Sequence, residues 1–310
     1  MTGTVDVHAH LYPPEWRPRG MMPGGMFDVE GLVVRMDDGG VDTAIVSDPH
    51  IWYGEFDVLD IDAVREYNDF AATLPAASGG RVVGMASITP WRGAEHIAEA
   101  RRGVTELGLV GLAVPTSDGG QYLDSIPDAF WELVEELDVP VFLHPAGQVV
   151  GQELMGEYRL GEVCGRPLDT TVTLARAILT GVLERHAVRF LCSHAGGAIC
   201  TIADRLDFGH ELRDYAPLGP WGEVHLPRPP SDYVRRLWLD TVTYGPNPLR
   251  LAVDTVGAAQ VCFGTDGPPV PFPVSRHRAT VDALGLAPAD LDGVMGGNAH
   301  RLFTRIADGR

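Results

Sequence analysis

The chain has 310 residues, 45% hydrophobic and 21% charged, with 42 acidic against 24 basic side chains and a formal net charge of −18. That is ample length for a buried core, and so acidic a surface argues against nucleic acid or an anionic membrane as partner. All 24 basic residues are arginine, which excludes Schiff-base catalysis by a lysine and any metal site bridged by a carbamylated lysine.

Val5–His10 is the first apolar run, Val5-Asp6-Val7-His8-Ala9-His10. In a strand, residues i and i+2 share a face, so His8 and His10 are expected to aim two imidazoles at one point, with Val7 and Ala9 turned the other way. Seven further runs follow, at Thr43–Ser47, 81–88, 109–114, 140–144, 189–194, 237–241 and 261–266. They are rich in Val, Ile, Leu and Phe, as parallel strands covered on both faces should be. The stretches 60–74, 94–107, 126–137, 169–184, 249–256 and 289–306 carry apolar residues at helical spacing. Eight strands alternating with helices predict a (β/α)8 TIM barrel, one α/β domain over residues 1–310. The competing open doubly wound sheet lacks its main signal, since no G-x-G-x-x-G follows the first strand. Residues 11–25, 145–167 and 209–230 read as long loops, and in a barrel the loops after strands form the active-site face. Asn298 is expected to hold a local turn before the last helix.

Cys164, Cys192, Cys200 and Cys262 form no C-x-x-C pair and read as reduced thiols. No basic-then-apolar leader precedes Val5, and no apolar run approaches the ~18 residues of a membrane span. A cytoplasmic protein is expected.

The polar ends of the strands carry the chemistry. The first strand ends in His8 and His10, the fifth in His144, the sixth in His194 and the eighth in Asp266. Burying an unpaired imidazole costs free energy, so three strands ending in histidine at one rim of a barrel are poorly explained by packing. Three neutral imidazoles and one carboxylate suit a single divalent metal ion, zinc first, with manganese or iron(II) as alternatives. His8, His10 and His144 are then ligands, Asp266 a ligand or proton shuttle, and His194 an acid or base beside the ion. Trp52 is a candidate pocket wall.

Taken together, Asp6–His10, Phe142–Pro145, Ser193–Gly197, 227–233 (PRPPSDY), Gly264–Asp266 and Gly297–Ala299 resemble the metal-dependent amidohydrolase superfamily. Within it the chain is similar to the aminocarboxymuconate-semialdehyde decarboxylase branch. The resemblance implies a (β/α)8 barrel, a zinc-like ion on His8, His10, His144 and Asp266, and His194 as the catalytic histidine. It places Arg205 where an arginine reaches a substrate carboxylate in the neighbouring subunit, which implies a homodimer. Arg17, in the loop after the first strand, is a candidate for a further substrate arginine. Ala146 stands where aminocarboxymuconate enzymes have tryptophan, and Gly267-Pro268-Pro269 replaces an aromatic residue followed by proline. Both departures point away from aminocarboxymuconate semialdehyde itself.

The expected activity is non-oxidative decarboxylation of a small unsaturated or aromatic carboxylic acid. The alternative is hydrolysis of a small ester, lactone or amide by a water held at the same metal.

Overall fold

The structure is a computed structural model that describes residues 3–19, 24–48, 60–215, 219 and 221–306. Its strands are β1 Val5–His10, β2 Thr43–Ser47, β3 Val82–Gly84, β4 Ala86–Ser87, β5 Leu112–Pro115, β6 Ser117–Asp118, β7 Gln121–Tyr122, β8 Val141–His144, β9 Phe190–Cys192, β10 Trp238–Asp240 and β11 Val261–Cys262. β6 and β7 form a small antiparallel hairpin, and all the other pairings are parallel. β3 and β4 are one expected strand, interrupted at Met85, whose amide still donates to the Val46 carbonyl at 2.9 Å.

The ladder runs β1-β2-β3 and then β4-β5-β8-β9-β10-β11. It closes on itself where Val7 N–H donates to Phe263 O at 2.9 Å, Asp266 N–H to His8 O at 2.7 Å and His10 N–H to Gly267 O at 2.8 Å. The result is the eight-stranded α/β barrel that the alternation of runs predicts.

The covering helices are α1 Val29–Gly39, α2 Ile61–Ala77, α3 Ala94–Thr105, α4 Asp128–Leu137, α5 Arg166–Leu179, α6 Val182–Arg185, α7 Ile199–Tyr215, α8 Pro230–Val234, α9 Pro246–Val256, α10 Val274–Asp282, α11 Pro288–Asp292 and α12 Asn298–Leu302. Some differ from the pattern-based expectation. The helix expected over 169–184 is cut at Gly181, which adopts φ 78°. The one expected over 289–306 is broken into α11, a π-turn at Gly293–Gly297 and α12, in a stretch with three glycines. The loop expected from residue 209 begins only after Tyr215, because α7 continues that far. α1 was not marked by a long apolar stripe. Its Asp28 cap accepts from Gly31 N–H at 2.8 Å, and Leu32 and Met36 supply the buried face. Asn298 holds no local turn: its side-chain amide donates to the carbonyls of Ala258 at 2.8 Å and Val261 at 2.6 Å, fastening α12 to the start of β11.

Two apolar layers result. One lies between strands and helices and includes Ala9, Val46, Val114, Leu143 and Leu239. The other fills the barrel itself with Val5, Val7, Ile45, Met85, Ala113, Phe142 and Leu191, floored by Leu302 and Phe303. Val7 therefore does not face away from the histidines, as simple alternation predicts. The pairing of β1 with β2 shifts register between Asp6 and Ala9. A bulge adds a residue and re-aims the side chains beyond it. Val7 and His8 consequently both belong to the barrel side, with Phe142 against the His8 ring at 5.0 Å between centroids.

One close approach fixes the closed end. A Cβ on Gly296 would lie 2.0 Å from the Gly3 carbonyl oxygen, which is backbone and cannot swing away. Gly296→Ala is expected to destabilise the fold by about 1–3 kcal/mol, read as a lower melting temperature with catalytic parameters per folded molecule unchanged.

Candidate metal centre and active site

The bulge in β1 brings the imidazoles of His8 and His10 to the barrel mouth with ring centroids 4.9 Å apart. β8 ends in His144, whose ring lies 5.2 Å from that of His8 and 5.1 Å from that of His10. Asp266 follows β11. One donor atom from each of His8, His10, His144 and Asp266 lies within 4.8 Å of all the others, and all four residues are buried.

What each ring does with its other nitrogen settles which atoms face inward. His8 Nδ1 lies 2.6 Å from Asp240 Oδ2, His10 Nδ1 is 3.1 Å from the Ser47 carbonyl, and His144 Nδ1 is 3.1 Å from the Pro145 carbonyl. All three partners are pure acceptors, so each Nδ1 carries the proton and Nε2 is left with its lone pair. His8 Nε2 and His10 Nε2 then face each other at 3.1 Å, with Asp266 Oδ1 at 3.4 and 3.1 Å. Two lone pairs and a carboxylate oxygen held this close repel one another unless a cation lies among them. The donor set therefore fits a divalent metal ion.

The charge balance agrees. Burial pushes the His10 and His144 pKa values down, and the neighbouring His10 and His8 rings disfavour a charge on His144 further. Burial also opposes charge on His8, but Asp266 and Asp240 raise its pKa to about 10. Burial would raise Asp266 too, yet the field of His8 and the close His10 and His194 rings hold it well below the usual carboxylate range. Positive charge is favoured at the centre, as a proton on His8 or as a cation in its place, while His10 and His144 are good neutral donors.

Asp266 faces two ways. Oδ1 belongs to the metal cluster, while Oδ2 lies 3.3 Å from His194 Nε2 and accepts from the Tyr244 hydroxyl at 3.1 Å. His194 Nδ1 is buried without a hydrogen-bond partner among the described residues. A buried N–H without an acceptor is more costly than a bare lone pair on the ring, so the His194 proton belongs on Nε2, against Asp266. His194, Ala195, Tyr244 and Asp266 have φ of 53°, 52°, 57° and 56°. Each left-handed non-glycine residue costs about 1–2 kcal/mol, a strain concentrated around one carboxylate.

The cleft above these groups measures about 970 Å³ and is walled by α5, α7, α9 and the proline-rich turn at residues 269–272. His10, His194 and Asp266 form its base. Arg159 and Arg166 supply its cationic side chains. Arg159 is exposed and pairs with Glu162, whereas Arg166 is three-quarters buried and 4.0 Å from Glu162, beyond hydrogen-bond reach.

The structure thus brings together the five metal and catalytic candidates and separates the substrate candidates. Arg17 is exposed and lies over the Phe27 ring at 5.4 Å, outside the cleft lining. Arg205 is exposed on α7, has no ion pair among the described residues and does not line this chain's cleft. Trp52 lies outside the described residues. Sequence reasoning missed Asp240, Tyr244 and Arg166. Asp240 was legible as a carboxylate at the end of the seventh strand run; the other two lie in loop and helix-start positions with no pattern to mark them.

The amidohydrolase family model matches residues 5–305. The chain belongs to the amidohydrolase family. Among curated relatives of this amidohydrolase, the 2-amino-3-carboxymuconate-6-semialdehyde decarboxylase of Dictyostelium discoideum is 26% identical, over 88% of this chain and 82% of its own. The gamma-resorcylate decarboxylase of Rhodococcus jostii is 29% identical, over 98% of this chain and 99% of its own. Among solved structures, 5-carboxyvanillate decarboxylase from Sphingomonas paucimobilis superposes with a TM-score of 0.85 at 21% identity, covering 98% of this chain and 99% of its own, which establishes the shared barrel fold.

A metal-stripped amidohydrolase should gain stability on adding a divalent ion, by about 2.7 kcal/mol at a hundredfold excess over Kd. The melting temperature should rise accordingly. His10→Ala, which removes one of the four donors, should abolish most of that rise.

Proposed function

We propose that the protein is a metal-dependent, non-oxidative decarboxylase of a small aromatic or unsaturated carboxylic acid. The observation that carries this is the division of Asp266: one oxygen in the metal cluster, the other against a protonated His194 Nε2 at the cleft floor. A proton is thereby held beside the place where a substrate carboxylate would meet the ion. The decarboxylase names of the two curated relatives support the same chemistry.

When bound by His8, His10, His144 and Asp266, the ion supplies Lewis-acid stabilisation of the acid's oxygens as charge develops on the ring or diene. The proton that His194 Nε2 holds beside Asp266 is the one delivered to the carbon that loses CO₂. The carbon–carboxyl bond breaks, CO₂ departs, and the electron pair left on carbon takes up that proton. Tyr244 fixes the Asp266 oxygen that faces His194. Val7, Phe142 and Leu191 close the base of the barrel against water.

Zinc is the proposed metal, since three imidazoles and one carboxylate match its preferences. The four cysteines are unpaired, which suits a reducing cytoplasm. No helix among the described residues is long and apolar enough to cross a membrane. The proposed substrate is a carboxylate, and of the two cleft arginines Arg166, which is not held by Glu162 as Arg159 is, would meet a second acidic substituent. The proposed assembly is a homodimer in which Arg205 serves the neighbouring site. The exposed Phe208 and Tyr215 on the same helix support α7 as the joining face.

His194→Ala is expected to lower turnover by about 10²–10⁴-fold while metal content by elemental analysis stays the same. Loss of the metal as well would show that His194 is a ligand instead. The assay is CO₂ release from hydroxybenzoates and muconate semialdehydes, with ¹⁸O-labelled water as solvent. Absence of CO₂ with every acid, or ¹⁸O in the organic product of an ester or lactone, would favour hydrolysis.

The dimer is tested by mixing inactive His194→Ala and Arg205→Ala chains after dissociation. If Arg205 acts across the interface, mixed dimers regain one intact site each, about a quarter of wild-type activity in all. Recovery of none would place Arg205 at its own chain's site, and an Arg205→Ala chain that is active by itself would place Arg205 outside catalysis.

A further inference from the structure

Asp240, at the end of β10, is fully buried and lies outside the metal cluster, yet it contacts both halves of the site. Its Oδ2 accepts from His8 Nδ1 at 2.6 Å and from the backbone N–H of His194 at 3.0 Å. Its Oδ1 accepts from the N–H of Ala195 at 2.8 Å and of Val242 at 3.0 Å. One side chain thus fixes which nitrogen of a metal ligand is free and also secures the two left-handed residues that carry the catalytic imidazole.

We infer that Asp240 is a positioning residue that couples the metal centre to the proton donor, holding His8 as an Nε2 ligand and His194 at the cleft floor through one carboxylate. The inference rests on the functional reading above for the roles of His8 and His194.

The geometry requires a carboxylate rather than any polar group of that size. Four N–H donors point at Asp240, two at each oxygen. An amide offers one acceptor oxygen and one donor NH₂. With the NH₂ toward His8, the ring must accept at Nδ1 and carry its proton on Nε2, where it cannot bind metal. With the NH₂ toward Ala195 and Val242, the turn bearing His194 loses its anchors and meets two donor–donor contacts instead. No orientation of asparagine preserves both functions.

The test is Asp240→Asn, compared with wild type after confirming equal far-ultraviolet circular dichroism. Zinc affinity, measured by competition with a chelator, should weaken about 10–100-fold. At saturating zinc, kcat should stay depressed about tenfold or more with KM little changed, since the proton donor rather than substrate binding is disturbed. Zinc affinity within about twofold of wild type, or full recovery of kcat once zinc saturates, would overturn the coupling.

A second measurement needs no variant. In the zinc-loaded wild-type protein, ¹H–¹⁵N spectra of the His8 ring should show a protonated, slowly exchanging Nδ1 and an unprotonated Nε2. A His8 bound through Nδ1 would overturn the inference even if Asp240→Asn fails to fold. Zinc affinity and the ring spectrum are read without substrate. A wild-type chain that meets both expectations but releases no CO₂ would therefore sink the functional reading and leave the metal-side half of the Asp240 role standing.

Discussion

Three unprotonated imidazole nitrogens converging beside a carboxylate oxygen are the constraint on which the rest of this molecule turns. Left to themselves, these atoms repel. They stay together because each ring is held from behind, by Asp240, the Ser47 carbonyl or the Pro145 carbonyl, and because the strands carrying them are locked into a closed ladder. The fold is in this sense a device for opposing lone-pair repulsion until a cation relieves it. The irregularities near the mouth serve the same end: the bulge in β1, the left-handed residues 194, 195 and 266, and the Gly264 position where a Cβ would press on the His8 side chain at 2.9 Å.

Electrostatics are arranged on two scales. The whole chain carries −18 charges, which keeps anions at a distance, while the cleft presents Arg159 and Arg166 above a positive-seeking centre. A small acid must cross an unfavourable field to reach a favourable pocket. The Arg166 side chain is three-quarters buried and not firmly paired, so part of its desolvation is already complete before any ligand arrives, and an arriving carboxylate would find a stiff, forked partner.

Most of the architecture was legible because it rests on periodicity. Runs of Val, Ile, Leu and Phe marked eight strands, and His-terminated runs such as 141–144 marked the open rim of the barrel. Where local backbone overrode pattern, reading failed. Strict alternation placed Val7 opposite His8, but an extra residue in the β1–β2 pairing puts both on the barrel side. The helix expected through residues 289–306 was dismantled by Gly293, Gly296 and Gly297. Asp240 was visible as a residue but not as a contributor, since its role depends on two partners 232 and 46 positions away in the chain. The arginines of the cleft are the least legible. Position after a strand points to Arg17, whereas Arg166 reaches the cleft through the coiling of a π-turn and the start of α5, which no linear spacing announces.

The closure of β11 onto β1 has a consequence for how the protein is made. His8 and His10 leave the ribosome well before their partners Asp240 and Asp266, which follow them by 232 and 256 residues. Until Asp240 and Asp266 have been made, a nascent chain offers a metal ion only His8, His10 and, once it has emerged, His144, with neither the carboxylate nor the acceptor that orients the His8 ring in place. Cofactor loading is thereby deferred to the final closure of the ladder, and the slow, long-range pairing of the first strand with the last becomes the step that separates an empty polypeptide from a metalloenzyme.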